Sequence, residues 1–363
     1  MLKNCLALLP PKDIIIKDLV KENELYKKGY IKIMSFSNFS RKYQLGKILG
    51  RGNFGTTYKG YNTHDNQYYA IKQLLIDYTG VPLNDLNKDY AFSLLENFFL
   101  EIEALTKLTK SKCNNVMKLY EVIYIDDYNQ FFFILELIKG NDVSKLLKSI
   151  PIHKKVNYVD MVKKYWNNES EFIHYFVNPL ISGVRCIHNQ RISHRDIKPA
   201  NIMYDQNNKT VKIVDLGLAC INACTDISGT PRYLSPEYLY GLEYEELMKN
   251  MGDNSDITNI TQDLSTTDIT GGVNNDIWSV GVSLYEILSG KEFPYEDAIN
   301  YKKVNINSIP FKWKYVKKLI SSCLKENYNT REKLWNKMTT NTGLSYDIIN
   351  KLNKKGKRKN NRN

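Results

Sequence analysis

The stretch His194-Arg195-Asp196-Ile197-Lys198-Pro199-Ala200-Asn201 is followed, 14 residues after Asn201, by Asp215-Leu216-Gly217. Two carboxylates and a carboxamide at this spacing are what phosphoryl transfer requires. One Asp accepts the proton of an attacking hydroxyl, and Asp and Asn oxygens hold Mg²⁺ on the phosphates. Lys198 adds a cation suited to balancing charge on the transferred group. A polar loop between strands rarely yields this eight-residue spelling at this distance from an Asp-x-Gly.

Upstream lies Gly50-Arg51-Gly52-Asn53-Phe54-Gly55. The spelling G-x-G-x-x-G alone does not separate a dinucleotide site from a glycine-rich hairpin. A dinucleotide site needs a helix beginning at the third glycine. Here Thr56-Thr57-Tyr58-Lys59-Gly60-Tyr61 is β-branched and aromatic and reads as a second strand, hence a hairpin. Glycines in such a turn let backbone N–H groups approach phosphate oxygens, although a plain hairpin would look the same. Eleven residues after Tyr61 comes Lys72, in Tyr69-Ala70-Ile71-Lys72. A lysine among apolar strand neighbours needs an anion unless the strand is an edge in water. Glu101, on a helical pattern, can supply it.

Working outward, short β-type runs cover Tyr43 to Leu49, Thr56 to Tyr61, Gln67 to Leu74, Val116 to Tyr124 and Phe131 to Leu135. One helix interrupts them, with Leu94, Phe98, Ile102, Leu105 and Leu108 at three- and four-residue steps. Beyond Gly140 the pattern is mostly helical, with long stretches at Phe172 to His188, Ile277 to Leu288 and Phe311 to Leu324. Residues 1–42 carry no motif and read as an extension packed loosely or not at all. There is no internal repeat.

The 363 residues are 42% hydrophobic and 25% charged, enough for one large or two modest cores and too apolar for a disordered chain. No apolar run approaches the roughly 20 residues that cross a bilayer, and Cys5-Leu6-Ala7-Leu8-Leu9 is too short for a signal-peptide core. The expectation is an intracellular, cytoplasmic chain. Six scattered cysteines without C-x-x-C spacing are expected to be free thiols, including Cys220 and Cys224, whose alternative is a redox switch. The formal net charge is +12, with seven Lys/Arg between Lys351 and Asn363, so a uniformly basic nucleic-acid surface is excluded. The tail Lys354-Lys355-Gly356-Lys357-Arg358-Lys359 suits a nuclear address, a nucleic acid or an acidic partner, and equally a solvated terminus. Gly241 to Asp276 holds eight acids against one Lys. This segment reads as a polar surface loop, suited to a basic partner or to no role at all.

From Tyr43 to Met338 the order of these parts resembles the eukaryotic protein kinase family, and Lys198-Pro199 with Gly229-Thr230-Pro231-Arg232-Tyr233 resembles its serine/threonine branch. The resemblance implies an α+β, two-lobed fold. The extension would span 1–42, a β-rich N-lobe with one main helix 43–138, a larger helical C-lobe 139–345 with the insertion at about 241–275, and a tail 346–363 expected to be disordered. It implies ATP and Mg²⁺ and a protein substrate with Ser or Thr, while the short apolar runs lead to the expectation of no membrane span. No pattern specifies an oligomeric state. Asp196 would orient and deprotonate the hydroxyl and Lys198 steady the γ-phosphate. Lys72 paired with Glu101 would hold the α- and β-phosphates, and Asn201 and Asp215 would bind metal.

The nucleotide would lie against Leu49, Gly50, Arg51, Gly52, Asn53, Phe54, Gly55, Thr56 and Thr57. Ala70 and Met203 would pack on the adenine, Leu135 stand as gatekeeper, Glu136, Leu137 and Ile138 form the hinge, and Asp142 contact the ribose. By the same likeness Leu105, Leu119, His194 and Leu216 belong to an apolar spine. Thr230 would reach Asp196 and Lys198, Glu237 would pair with Arg331, and Asp276-Ile277-Trp278 would open the helix that anchors the catalytic loop.

Departures from the family pattern are Leu216 for Phe, Thr57 for Val, Ser235 for Ala, and insertions between Lys72 and Glu101 and between Glu237 and Asp276. Asp226 stands where many such kinases carry a phosphorylated Thr. Its carboxylate could pair with Arg195 unmodified, with phosphorylation of Thr225 or Ser228 as the competing explanation. The alternative from another class is a pseudokinase, an ATP-binding scaffold, usually announced by a missing Lys, Asp or metal ligand. None is missing here.

Overall fold

Runs of Val, Ile, Phe and Tyr, which fit a pleated surface, make the first part of the chain a sheet. The computed structural model describes residues 16–52, 55–74, 88–148, 158–222, 224, 226–239, 271–294 and 304–339. The chain divides into two compact units, Met1–Lys139 with Asp215–Gly217, and Gly140–Val214 with Leu218–Asn363. One is β-rich and the other mainly helical, in an α+β arrangement.

The first unit holds β1 (Ile31–Met34), β2 (Tyr43–Gly52), β3 (Gly55–Asn62), β4 (Gln67–Leu74), β5 (Leu119–Ile125) and β6 (Gln130–Leu135). They form one sheet in the order β1-β5-β6-β4-β3-β2. All neighbours are antiparallel except β1, which runs parallel to β5. The hairpin expected at the glycine-rich stretch is present as β2 and β3. Gly55 closes it at φ +145°, and a Cβ there would lie 1.9 Å from the Gln73 carbonyl oxygen, so only glycine fits. Asn53 and Phe54 lie outside the described residues.

Four helices accompany this sheet: α1 (Ile16–Glu22), α2 (Glu24–Lys27), α3 (Phe36–Lys42) and α4 (Lys88–Lys110). In α4, Leu95, Phe98, Ile102, Leu105 and Leu108 are all buried, at the spacing that puts one helical face on a core. The expectation that residues 1–42 pack loosely does not hold for 16–42. Ile16, Leu19, Val20, Leu25, Ile31 and Phe39 are buried. Ser35 caps α3 by accepting from the Asn38 N–H, and Asn23 caps α2 by accepting from Leu25. The segment is tied to β5 by side chains as well. The Glu121 carboxylate accepts from Lys32 Nζ at 2.7 Å, Lys42 Nζ at 2.8 Å and Tyr43 OH at 2.7 Å. Burial alone would raise the Glu121 pKa, but these three donors hold it below the ordinary carboxylate value.

The second unit begins with β7 (Gly140–Asp142), which joins β9 (Ile202–Asp205) and β10 (Thr210–Ile213) in the order β10-β9-β7. β8 (Ile192–Ser193) pairs with β11 (Cys220–Ile221). Its helices are α5 (Val143–Lys148), α6 (Tyr158–Tyr165), α7 (Glu169–Phe172), α8 (Asn178–Asn189), α9 (Gly271–Ser289), α10 (Lys314–Cys323) and α11 (Tyr328–Thr339), with one π-helical turn, Ile173–Val177, joining α7 to α8. α9 is buried almost all round: Ile277, Val280, Val282, Leu284, Ile287 and Leu288 are at 0% exposure. Such a helix forms the centre of a unit rather than its surface. Residues 241–270 of the long insertion and the whole basic tail lie outside the described residues, as do Cys5 and Thr225. The cysteine expectation holds for Cys323, which is free and buried, and fails for Cys113, Cys186, Cys220 and Cys224. Cys113 and Cys186 are oxidised, and Cys220 is joined to Cys224 across a Cα–Cα distance of 5.6 Å.

Arg331 on α11 is fully buried. Its guanidinium makes a two-pronged contact with Glu237, at 2.5 and 3.0 Å, and donates to the carbonyls of Asn274, Glu326 and Lys325. It also lies 5.1 Å from the Trp278 ring centre. An ammonium cannot fill this fork. Arg331→Lys is therefore expected to lose stability nearly as Arg331→Ala does, by about 3 kcal/mol. Urea midpoints check this, and a lysine variant unfolding with the wild type would contradict it.

Candidate functional site

In the first unit the sheet register sets Lys72 on β4 opposite Thr57 of β3 and Phe133 of β6. Lys72 is therefore on a central strand, and the edge-strand alternative is removed. Its Nζ lies 2.7 Å from Glu101 of α4 and 3.3 Å from Asp215. Burial alone would lower the lysine pKa, but the two carboxylates raise it above its ordinary value, so the ammonium stays charged. Asp215 occupies the left-handed region at φ 64°, uncommon for a residue with a side chain and characteristic of functional turns. Leu216, in place of a Phe, is fully buried as an apolar residue should be.

Among the described residues, a Cβ at Gly50 or Gly52 would meet no atom within 4 Å. Packing against the described residues does not demand glycine at either position of β2. Leu49, at 36% exposure, is an apolar residue left partly uncovered, and Arg51 is exposed. Ala70 pairs with Leu135 across the sheet, and both are buried. After Leu135, the Glu136 N–H donates to the Lys118 carbonyl at 2.9 Å. Glu136 and Leu137 are half-buried and Ile138 is buried.

In the second unit the turn that carries Asp196 is held by one buried carboxylate. Asp276, in α9, accepts from the His194 N–H at 2.8 Å through Oδ2 and from the Arg195 N–H at 2.8 Å through Oδ1. His188 Nε2 of α8 lies 2.9 Å from the same Oδ2. Arg195 is held at φ 66°. The His194 ring donates from Nε2 to the Val214 carbonyl and accepts at Nδ1 from the Asp196 N–H. The motif thus positions itself through its own backbone.

Asp196 is nearly buried, and its carboxylate is surrounded by donors. Thr230 Oγ1 donates to Oδ1 at 2.6 Å, Lys198 Nζ lies 2.8 Å from Oδ2, and Asn201 Nδ2 donates to Oδ2 at 2.8 Å. Lys198 Nζ also donates to Thr230 Oγ1 at 2.7 Å. Thr230 follows Gly229, whose φ of +143° and whose close approach to the Arg195 carbonyl leave no room for a side chain. Because Asn201 Nδ2 is committed to Asp196, its Oδ1 is the atom able to serve a hard cation. Asp215 likewise offers oxygen, the donor Mg²⁺ prefers. The residues present therefore fit that ion in kind.

Asp142 faces Met203 across the β7–β9 ladder. Its carboxylate accepts from the Ser144 hydroxyl at 2.5 Å and the Lys145 N–H at 2.9 Å, which makes it the cap of α5. Burial opposes ionisation there, but Lys145 and Ser144 hold its pKa below the ordinary value.

In the same unit, Arg195 Nη1 meets the Asp226 carboxylate at 2.6 Å, Nε donates to the Leu218 carbonyl, and Ser228 Oγ donates to Asp226 as well. Burial would raise the Asp226 pKa, but Ser228 and Arg195 bring it below the ordinary value. Sequence reasoning had Asp276 only at the head of an anchoring helix and missed His188 as its third partner. It also missed Asn275, whose Oδ1 accepts from the Ser235 N–H at 2.8 Å. The signal available was the adjacency Asn274-Asn275-Asp276 at the start of an apolar helix.

The protein kinase domain family matches residues 43–257 of this chain. Curated relatives include CBL-interacting protein kinase 10 of Oryza sativa subsp. japonica, 28% identical over 86% of this chain and 59% of the relative. The probable serine/threonine-protein kinase fhkA of Dictyostelium discoideum is 28% identical over 71% of this chain and 40% of the relative. CBL-interacting serine/threonine-protein kinase 2 of Arabidopsis thaliana is 27% identical over 81% and 55%. The chain thus spans about 40 to 59% of the length of these relatives.

An Asp276→Asn substitution keeps the size of the side chain but sets an NH₂ against backbone N–H donors. At least one of the buried His194 and Arg195 amides then has no acceptor, a cost of about 1–3 kcal/mol each. The expected outcome is a clearly lowered thermal midpoint with faster amide exchange over residues 192–198. An unchanged midpoint would show that this carboxylate does not hold the turn.

Proposed function

From the premise that this chain belongs to the protein kinase family, matched over residues 43–257, we propose that it transfers the γ-phosphoryl group of ATP to Ser or Thr hydroxyls of protein substrates. The observation that carries this reading is the Lys72 ammonium, held at 2.7 Å by Glu101 and at 3.3 Å by Asp215. A lysine fixed on a central strand between two carboxylates is placed to present charge to a polyphosphate. Gly50 and Gly52, which packing against the described residues does not demand, and exposed Leu49 favour a phosphate and a ring against β2. In this reading Arg51, Asn53, Phe54, Gly55, Thr56 and Thr57 complete the nucleotide contacts with Ala70, Leu135, Glu136, Leu137, Ile138, Asp142 and Met203.

Asp196 takes the role of orienting and deprotonating the hydroxyl. Thr230 and Asn201 hold its carboxylate in one rotamer, and Lys198, shared between Asp196 and Thr230, carries the cation that steadies the γ-phosphate. Asn201 and Asp215 would hold Mg²⁺, which when bound neutralises charge on the phosphates. Every group the chemistry needs is present, so nothing favours the scaffold alternative. Lys72→Met and Asp196→Asn are each expected to lower the rate of phosphate incorporation into a generic basic protein by at least about 100-fold. A wild-type protein that binds ATP without incorporating phosphate would favour the pseudokinase instead.

The Arg195–Asp226 pair supports a second, narrower reading, that the loop is ordered without phosphorylation. A carboxylate with a lowered pKa contributes its contact above the ordinary carboxylate range and loses it as pH falls through the folded value. The pair therefore stays charged throughout the neutral range. Phosphatase treatment is expected to leave activity intact. Asp226→Asn is expected to lower kcat/KM about two- to fivefold, as for a half-exposed pair. Loss of activity on phosphatase treatment would assign control to Thr225 or Ser228.

A further inference from the structure

Helix α4 carries two stripes at helical spacing. Leu95, Phe98, Ile102 and Leu105 are buried on the face belonging to the sheet core, where Phe98 meets Phe131 at a ring separation of 6.2 Å. A second stripe, Glu96, Phe99, Leu100, Glu103, Lys107 and Lys110, faces the N-terminal extension across a cavity of about 490 Å³, with Leu25, Lys28 and Tyr30 on the other wall. At 100° per residue Glu101 falls on the side of the helix roughly opposite this second stripe. The extension and the sheet thus contact α4 on largely different faces, with Phe99 at their border, 6.4 Å from the Phe131 ring, and Glu101 projects away from the extension toward Lys72.

The extension is itself firmly based. β1 is laddered to β5 from Ile31 to Met34, and Glu121 gathers Lys32, Lys42 and Tyr43. Lys17 pairs with Asp126 at 2.6 Å. At the C-terminal end of α4, Lys110 Nζ donates to Tyr30 OH and lies 4.2 Å from its ring centre. Both α1 and α2 touch α4.

From these contacts we propose that the segment Ile16 to Met34 is a built-in brace that positions α4, and through it Glu101, against Lys72. Leu25, Tyr30 and Lys110 are its positioning residues. The brace deepens the catalytic reading and rests on it for its effect on rate, while its effect on α4 stands apart.

The test uses the full chain with Leu25→Ala on the extension and, on α4 itself, Lys110→Met. Hydrogen exchange is expected to quicken in peptides of residues 88–110 and not in those of β6. The rate constant kcat is expected to fall about three- to tenfold, with a rise in KM for ATP, and Leu25→Met to restore both. In a Glu101→Gln background the same substitutions are expected to add nothing further, because the group they position is already disabled. Unchanged exchange in α4 would overturn the brace, as would losses that simply multiply with Glu101→Gln. A wild-type chain without phosphoryl transfer would defeat the catalytic reading alone, since the exchange measurement decides the brace without it.

Discussion

The second unit depends on one ion that never meets solvent. Asp276 is fully buried and carries a charge that only donors can make tolerable. It receives two consecutive backbone amides and faces an imidazole, and the consecutive amides are available only because Arg195 turns through a positive φ. That turn sends the Arg195 side chain toward Leu218 and Asp226 and delivers Asp196 to Thr230, Lys198 and Asn201. The local strain of a non-glycine residue in the left-handed region is thereby offset by hydrogen bonds to a charged acceptor.

In the first unit the corresponding constraint is a cation. Lys72 cannot leave β4, because the strand is hydrogen-bonded on both sides, to β3 and β6. Its partners must come to it, Glu101 from a helix and Asp215 from a turn distant in sequence. Charge balance in this unit is therefore a statement about where α4 rests, and it rests in part against residues that precede the family match.

Much of this was legible in the sequence wherever the signal was local. The limits of β4 and the apolar steps of α4 follow from periods of two and 3.6, and the hairpin at Gly50 to Gly55 follows from β-branched residues after the glycines. The pairing of Lys72 with Glu101 was legible because a buried charge demands a partner. The Thr230, Arg331 and Asp226 contacts were legible only through family likeness. What stayed hidden depends on distant partners. Ile31-Lys32-Ile33-Met34 alternates as a strand should, but four residues are too few to distinguish from a loop, and its ladder partner begins at Val122. Cys220 and Cys224 are joined across a Cα–Cα distance of 5.6 Å, which their four-residue spacing permits but does not by itself reveal.

The parallel strand β1 has a consequence for where the folding unit ends. A sheet edge presents unpaired amides and carbonyls that recruit other strands, and proteins cover such edges. Here β1 covers β5, whose Val122, Ile123, Tyr124 and Ile125 are almost wholly shielded from water. A polypeptide trimmed to begin at Tyr43, where the family match starts, would leave that apolar flank as an adhesive seam for self-association. The boundary drawn by homology and the boundary drawn by solubility are therefore different places in this chain.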